Sequence, residues 1–220
     1  MVVEAAERGA VDSVVTALYV RTRQLHLEAE KSGILADILH GTAGRDSYTL
    51  LLRNLHPAYR ALEAGIERHR DNPILAPLAA HPLARTPAIE SDLVALAGAE
   101  WTERLPVLPA AEAYAERITE VSEGDGSLLI AHAYTRYLGD LNGGQIVRRL
   151  LEKTMRLGPD ELAHYDFSAI GDPATLKTDY RNALERAGTA APDKAAVVEE
   201  GAVAFTCNIA LSMDVQRHFA

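Results

Sequence analysis

The chain is 220 residues long, 48% hydrophobic and 24% charged, with 22 basic against 31 acidic side chains and a net charge of -9. This composition fits one folded domain over residues 1–220, or at most two small ones, and excludes a disordered chain. The negative balance argues against nucleic acid or an anionic membrane as the main partner.

The Leu- and Ala-rich, Tyr- and Phe-poor balance favours helix over sheet. The opening segment MVVEAAERGA has acidic residues and no long apolar stretch, so it does not read as a secretory signal. Helical periodicity begins in DSVVTALYVRTRQLHLEAEKSG, where Val14, Leu18, Leu25 and Ala29 share a face. Asp12 or Ser13 can cap this helix, and Gly33 is expected to end it. A second long helix follows Asp46 or Ser47, and Pro57 predicts a kink or a break near Asn54 to His56. Proline-rich punctuation at DNP, HPLARTP and LPVLPA divides the middle into shorter helices around residues 74–80, 88–98 and 110–122. A long helix opens with SLLIAHAYTRYLGDLNGGQ and stops at Gly158 and Pro159. The last third offers a helix from about Pro173 to Arg186, a break at GTAAPD, and a terminal helix from Lys194.

No alternating strand and no internal repeat stands out, so the expectation is one all-α domain. No window reaches the roughly 18 apolar residues that a membrane span needs, and a cytoplasmic protein is expected. The single cysteine, Cys207, excludes an intramolecular disulfide and any all-cysteine metal site. It lies in the apolar run AVAFTCNIAL and is expected to be a buried, inert thiol.

The segment YLGDLNGGQ, Tyr137 to Gln145, is the anomaly. Each glycine costs a helix roughly 0.8 to 1 kcal/mol relative to alanine. Gly139 and Gly143 lie four apart on one face, with Gly144 next door, and bare backbone there lets another helix or a flat ligand come close. Consecutive glycines also invite a bend. Asp140 reads either as half of an i, i+4 pair with Arg136 on a solvated face, or as a carboxylate beside a ligand, able to orient water and pass a proton. Spacing alone leaves both open.

The wording AHAYTRYLGDLNGGQ resembles the signature of the heme oxygenases, whose usual form is YLGDLSGGQ, with Asn142 here replacing the serine. Further segments extend the resemblance over most of the chain: RTRQLHLEAE is similar to the family's proximal helix, DYRNALE to its propionate-contacting helix and AFTCNIAL to its last helix. The resemblance implies an all-α, single-domain bundle with heme between a proximal helix and a kinked, glycine-rich distal helix. Heme b would be both substrate and cofactor, cleaved with O2 and electrons to biliverdin, carbon monoxide and ferrous iron. The alternatives from other classes are a heme carrier or sensor without turnover, and an unrelated small-molecule enzyme on the same architecture.

The resemblance also implies residue roles. His26 takes the position of the axial ligand to iron, for which a neutral imidazole is suited. His132 is its rival, but it precedes Gly139 by seven residues, about 10 Å along a helix at 1.5 Å per residue. Glu30, four residues after His26, resembles a carboxylate partner of the ligand's other ring nitrogen, or is a solvated charge. Lys177 and Arg181 match a propionate-binding pair, with Arg23 a third contact; a solvated face is the alternative for two cations at this spacing. Asp140, supported by Tyr59 and Tyr134 through water, would be the distal acid–base group, and Gly139, Gly143 and Gly144 would let backbone approach the porphyrin. Phe205 would pack near heme and Asn208 would give polar support. The pattern of Lys177 and Arg181 implies cleavage at the alpha meso carbon. Nothing resembles a flavin or nucleotide site, so a ferredoxin, flavodoxin or NAD(P)H-dependent reductase would supply electrons. A monomer is expected. The run RRLLEKTMR, with Arg148, Arg149, Lys153 and Arg156, is either a solvated face or a docking site for an acidic donor.

Overall fold

The computed structural model describes residues 13–220, so Asp12 as a candidate cap lies outside the described residues. Helix α1 runs Val14–Ala29, and the Ser13 side chain accepts a hydrogen bond from the Thr16 N–H at 3.0 Å, closing its first turn. Val14, Val15, Leu18, Thr22 and Ala29 are buried, whereas Tyr19, Val20, Arg23, His26, Leu27 and Glu30 are exposed. Leu25 is only half-buried, so the apolar face turns more towards Thr22 than the periodicity implied.

Gly33 does not end the first helix. The chain turns after Ala29, and Gly33 opens a second helix, α2, Gly33–His40, which the sequence did not suggest. Two constraints fall on this residue: its φ is +60°, and a Cβ there would collide with the backbone at Ser212 and Met213. Glycine at this point is a requirement of tertiary packing rather than a stop signal.

Helix α3, Arg45–Arg68, continues through Pro57 without the expected break. Proline removes one N–H and crowds the preceding turn, at about 3 kcal/mol. Burial of Tyr48, Leu52, Leu55, Ala58, Tyr59 and Leu62 along the same helix outweighs that, since each large apolar side chain contributes about 1.5–3 kcal/mol. Asn54 adds side-chain bonds, donating to the Leu50 carbonyl at 2.8 Å and accepting from the Leu108 N–H at 2.7 Å.

The middle of the chain forms α4 (Ala76–Ala79), α5 (Thr86–Ala97), α6 (Trp101–Arg104) and α7 (Pro109–Val121), close to the expected positions apart from the extra turn at Trp101. Helix α8, Leu129–Ala133, leads into two wide turns with i+5 hydrogen bonding, Tyr134–Leu138 and Asp140–Gly144, and then α9, Gln145–Met155. Arg156, with φ of +56°, terminates α9 before Gly158 is reached. Two short 3-10 turns, Pro159–Glu161 and Ala163–Tyr165, were not anticipated. Helices α10 (Pro173–Ala190) and α11 (Lys194–His218) complete the chain, each capped by an aspartate, Asp172 and Asp193.

No strand occurs among the described residues. Helix α11 packs on α1, α2, α7 and α8, while α3 packs on α5 and α7. An 18-residue stretch of α11 has mean hydropathy 1.3, which meets the length and composition of a membrane span, contrary to the expectation from sequence. Half of that stretch is buried inside the bundle, as in a core helix. Cys207 is half-buried, and burial raises its thiol pKa, which keeps the thiol protonated and inert.

Candidate active site

The two wide turns replace α geometry where the glycines cluster, and insertions of this kind mark functional sites more often than plain helix does. No residue of the segment has positive φ, so the glycines do not supply an unusual backbone conformation. What matters is the missing Cβ, and it matters in two ways. A Cβ on Gly139 or Gly143 would meet nothing within 4 Å, whereas one on Gly144 would meet the Tyr165 ring at 2.9 Å. Gly144 therefore serves packing, and Gly139 and Gly143 keep bare backbone against open space.

Between those two glycines, Asp140 turns inward and is 5% exposed. The Tyr59 hydroxyl, from α3, donates to Asp140 Oδ2. Arg136 Nε and Nη2 donate to the Tyr59 oxygen at 3.2 and 3.1 Å, and Arg136 Nη1 donates to Asn208 Oδ1 on α11. Arg136 also lies 5.0 Å from the Tyr59 ring centroid, adding a cation–π contact. Arg136 Nη2 and His164 Nε2 each stand 3.8 Å from Asp140 Oδ1. The pairing of Arg136 with Asp140 thus exists, but in the interior rather than on a solvated face. Burial pushes the Asp140 carboxyl above its usual range, while Arg136, the Tyr59 hydroxyl and Arg85 pull it back. Burial also works against the charge on Arg136, but the oxygens of Tyr59 and Asp140 more than restore it.

Tyr134 and Tyr59 stand differently towards Asp140. Tyr134 makes no direct hydrogen bond with Asp140; burial raises its hydroxyl pKa, and Thr22 of α1 and the charge of Arg181 on α10 pull it back. The one-step neighbour of Asp140 is Tyr59 alone among the two tyrosines, because Tyr134 leaves the helix on another side, six positions before Asp140.

Helix α1 exposes His26, whose ring centroid is 5.9 Å from that of Phe205 on α11. Glu30 Oε1 is 3.6 Å from His26 Nδ1, close enough for electrostatic attraction but long for a hydrogen bond, and Nε2 is left free. His132 is wholly buried, with Nε2 at 2.9 Å from Glu200 Oε1, which Arg117 also binds. Arg23, Lys177 and Arg181 are exposed and make no ion pair among the described residues. Apolar side chains are exposed on α1, at Tyr19, Val20 and Leu27, and on α9, at Ile146.

This set fits a heme. One free imidazole, bare backbone over open space, uncovered apolar side chains and unpaired cations match the ligand, faces and carboxylates of that group. In the basic run, Arg148 is already engaged, with Glu152 Oε1 at 3.1 Å and Asp166 Oδ2 at 3.5 Å. Arg149, Lys153 and Arg156 are exposed.

Two residues of the site escaped the sequence reading. Arg136 was weighed only as a surface partner, and its place in the motif could have flagged it. His164 sits in a short turn with no periodic pattern around it, so only the fold brings it to Asp140.

The family model for heme oxygenase matches residues 12–214. Heme oxygenase 1 of Rattus norvegicus is 36% identical over 217 residues, 96% of this chain and 75% of its own length. Heme oxygenase 1 of a Nostoc species is 35% identical over 205 residues, 93% of this chain and 86% of its own length. Among solved structures, heme oxygenase-1 from the cyanobacterium Synechocystis in complex with heme superposes with a TM-score of 0.86 at 31% identity, covering 94% of this chain and 93% of that one. Heme oxygenase from Leptospira interrogans superposes with a TM-score of 0.82 at 28% identity, covering 91% and 98%.

Proposed function

This chain belongs to the heme oxygenase family, and on that premise we propose how its own residues bind heme and carry the cleavage to biliverdin, carbon monoxide and ferrous iron. When bound, heme supplies the iron at which O2 is activated and the meso carbon that is oxygenated. His26 would hold the iron through Nε2, and Glu30 beside Nδ1 favours the tautomer that leaves Nε2 free to ligate. Phe205 packs against the His26 ring and limits its rotation.

The bare backbone at Gly139 and Gly143 would let a flat group come close to this segment. Asp140 orders water and relays protons. Tyr59 holds one of its oxygens, Arg136 holds Tyr59, and Asn208 holds Arg136, which anchors the carboxylate at Oδ2. Arg23, Lys177 and Arg181, exposed and unpaired among the described residues, would bind the propionates. That anchoring would favour cleavage at the alpha meso carbon. Electrons come from an external donor, a ferredoxin, flavodoxin or NAD(P)H-dependent reductase, which docks on Arg149, Lys153 and Arg156. The protein acts as a monomer in the cytoplasm.

The observation that carries this reading is the split among the glycines: two beside Asp140 face open space, and the third alone is needed for packing. The test is titration with hemin followed by ascorbate or a ferredoxin reducing system in air. Decay of the Soret band with growth of a broad red band is expected. Heme that binds and survives would overturn the reading in favour of a carrier or sensor.

A further inference from the structure

His164 is the one imidazole next to Asp140, and nothing yet accounts for it. The residue is wholly buried, and neither ring nitrogen has a hydrogen-bond partner. Buried polar atoms without partners are rare, and each asks for an explanation. The short turn Ala163–Tyr165 that carries it is firmly held. Asp92 accepts from the backbone N–H groups of Ala163 and His164 at 2.7 and 2.9 Å, and Arg85 Nη1 donates to the Asp166 carbonyl at 3.0 Å. The ring itself is wedged edge-on against Tyr59, with centroids 5.2 Å apart, and against Tyr165 at 4.5 Å. A ring placed by so many contacts is not a loosely packed filler.

Its position matches the one vacancy in the Asp140 network. Tyr59 occupies Oδ2, while Oδ1 lies 3.8 Å from Arg136 Nη2 and 3.8 Å from His164 Nε2, without a hydrogen bond from either. We propose that His164 is a positioning residue of the distal site, a neutral imidazole that donates its Nε2–H to Asp140 Oδ1. Closing the gap takes under about 1 Å, within a small rotation of the carboxylate about its last torsion. The carboxylate is then gripped from both sides, Tyr59 on Oδ2 and His164 on Oδ1. Its plane is fixed, so its remaining lone pairs aim at water on the Gly139 and Gly143 side.

The protonation state agrees with this assignment. Burial, Arg136 and Arg85 all push the His164 pKa well down, so the ring is neutral and carries a single proton. Charged groups facing it are Arg136, Arg85 and Asp140, with Asp92 on the backbone behind it. Placed on Nε2, that proton gives both Nε2 and Oδ1 a partner; placed on Nδ1, it gives a partner to neither. The proposal rests on reading Asp140 as the distal acid–base group.

The test uses the full chain without heme, labelled with 15N in histidine and 13C in aspartate, and needs no turnover. Nitrogen shifts should show His164 neutral from pH 6 to 8 with its proton on Nε2; a proton on Nδ1 overturns the proposal on the unmodified protein alone. His164→Phe keeps the ring but loses the donor, and should move the Asp140 carboxyl titration upwards by about one pH unit, as loss of a hydrogen bond to a charged group predicts. His164→Gln, which returns an N–H near the Nε2 position, should bring it back. An unchanged titration in the Phe variant, or no return in the Gln variant, removes the positioning role. If these signatures hold while wild-type protein leaves heme intact, the hydrogen bond stands and the catalytic reading of Asp140 falls.

Discussion

Replacing each distal glycine by alanine separates the two reasons for a missing Cβ. In helical backbone without positive φ, Gly→Ala contributes about 0.8–1 kcal/mol of stability when the methyl has room. Gly139 and Gly143 have that room, with no atom within 4 Å of the added carbon. For a chain of this size, 1 kcal/mol raises Tm by about 2–4 °C. At Gly144 the methyl would stand 2.9 Å from Tyr165 Cδ1, at least 0.5 Å inside ordinary contact. Tyr165 is buried and braced by His164, so it cannot yield freely, and overpacking of this sort costs about 1–3 kcal/mol. The helix gain offsets part of that, leaving Gly144→Ala neutral to about 2 kcal/mol destabilised. Thermal melts of the heme-free protein should therefore rise for Gly139→Ala and Gly143→Ala and fall or stay level for Gly144→Ala. In heme cleavage assays the first two should be impaired despite their higher melting points, because the methyl occupies the space meant for the porphyrin. If either one melts lower than wild type, the open space is not there; if both turn over heme normally, that space does not serve the substrate.

Further outcomes follow from the same geometry. His26→Ala should abolish the wild-type heme spectrum and turnover, with added imidazole restoring part of both; an unchanged spectrum would move the ligand role to another residue. Lys177→Ala combined with Arg181→Ala should leave the melting temperature within about 2 °C, since both are exposed and unpaired among the described residues, yet should weaken heme binding and mix the biliverdin isomers seen by chromatography. Reversing Arg149 and Lys153 to glutamate should raise the KM for an acidic donor protein, most at low salt; equal constants would dismiss the docking face. Burial opposes ionisation of Glu200, but its bonds to His132 and Arg117 win and hold its pKa at about 2, against an ordinary 4.5. A depressed carboxyl contributes stability above the unfolded value, and that contribution is lost as pH falls towards the folded one. Glu200→Gln should therefore flatten the acid limb of the stability profile between about pH 4.5 and 2, and a profile parallel to wild type would refute it.

The sequence by itself determined the helical class, most element positions and the motif that points to heme. Those signals are local: apolar residues at helical spacing, prolines and glycines between them, and a run of nine residues whose cost in helix stability asks for a purpose. It also pointed to His26, Asp140 and the two cations of α10, by resemblance rather than by contact. What only the tertiary structure decided depends on surfaces brought together from distant parts of the chain. Gly33 looks like a helix stop in sequence, but the backbone of Ser212 lying against it is what forbids a side chain. Pro57 should break a lone helix, yet burial on both sides of it keeps α3 continuous. The three glycines are alike in sequence and unlike in space, because Tyr165 lies over one of them only. Arg136 gains its significance for the same reason: a helix face is solvated, buried or open according to what packs on it. His164 has no periodic signal at all, since a short turn repeats nothing, and its nearness to Asp140 exists only once Asp92 and Arg85 have fastened that turn in place.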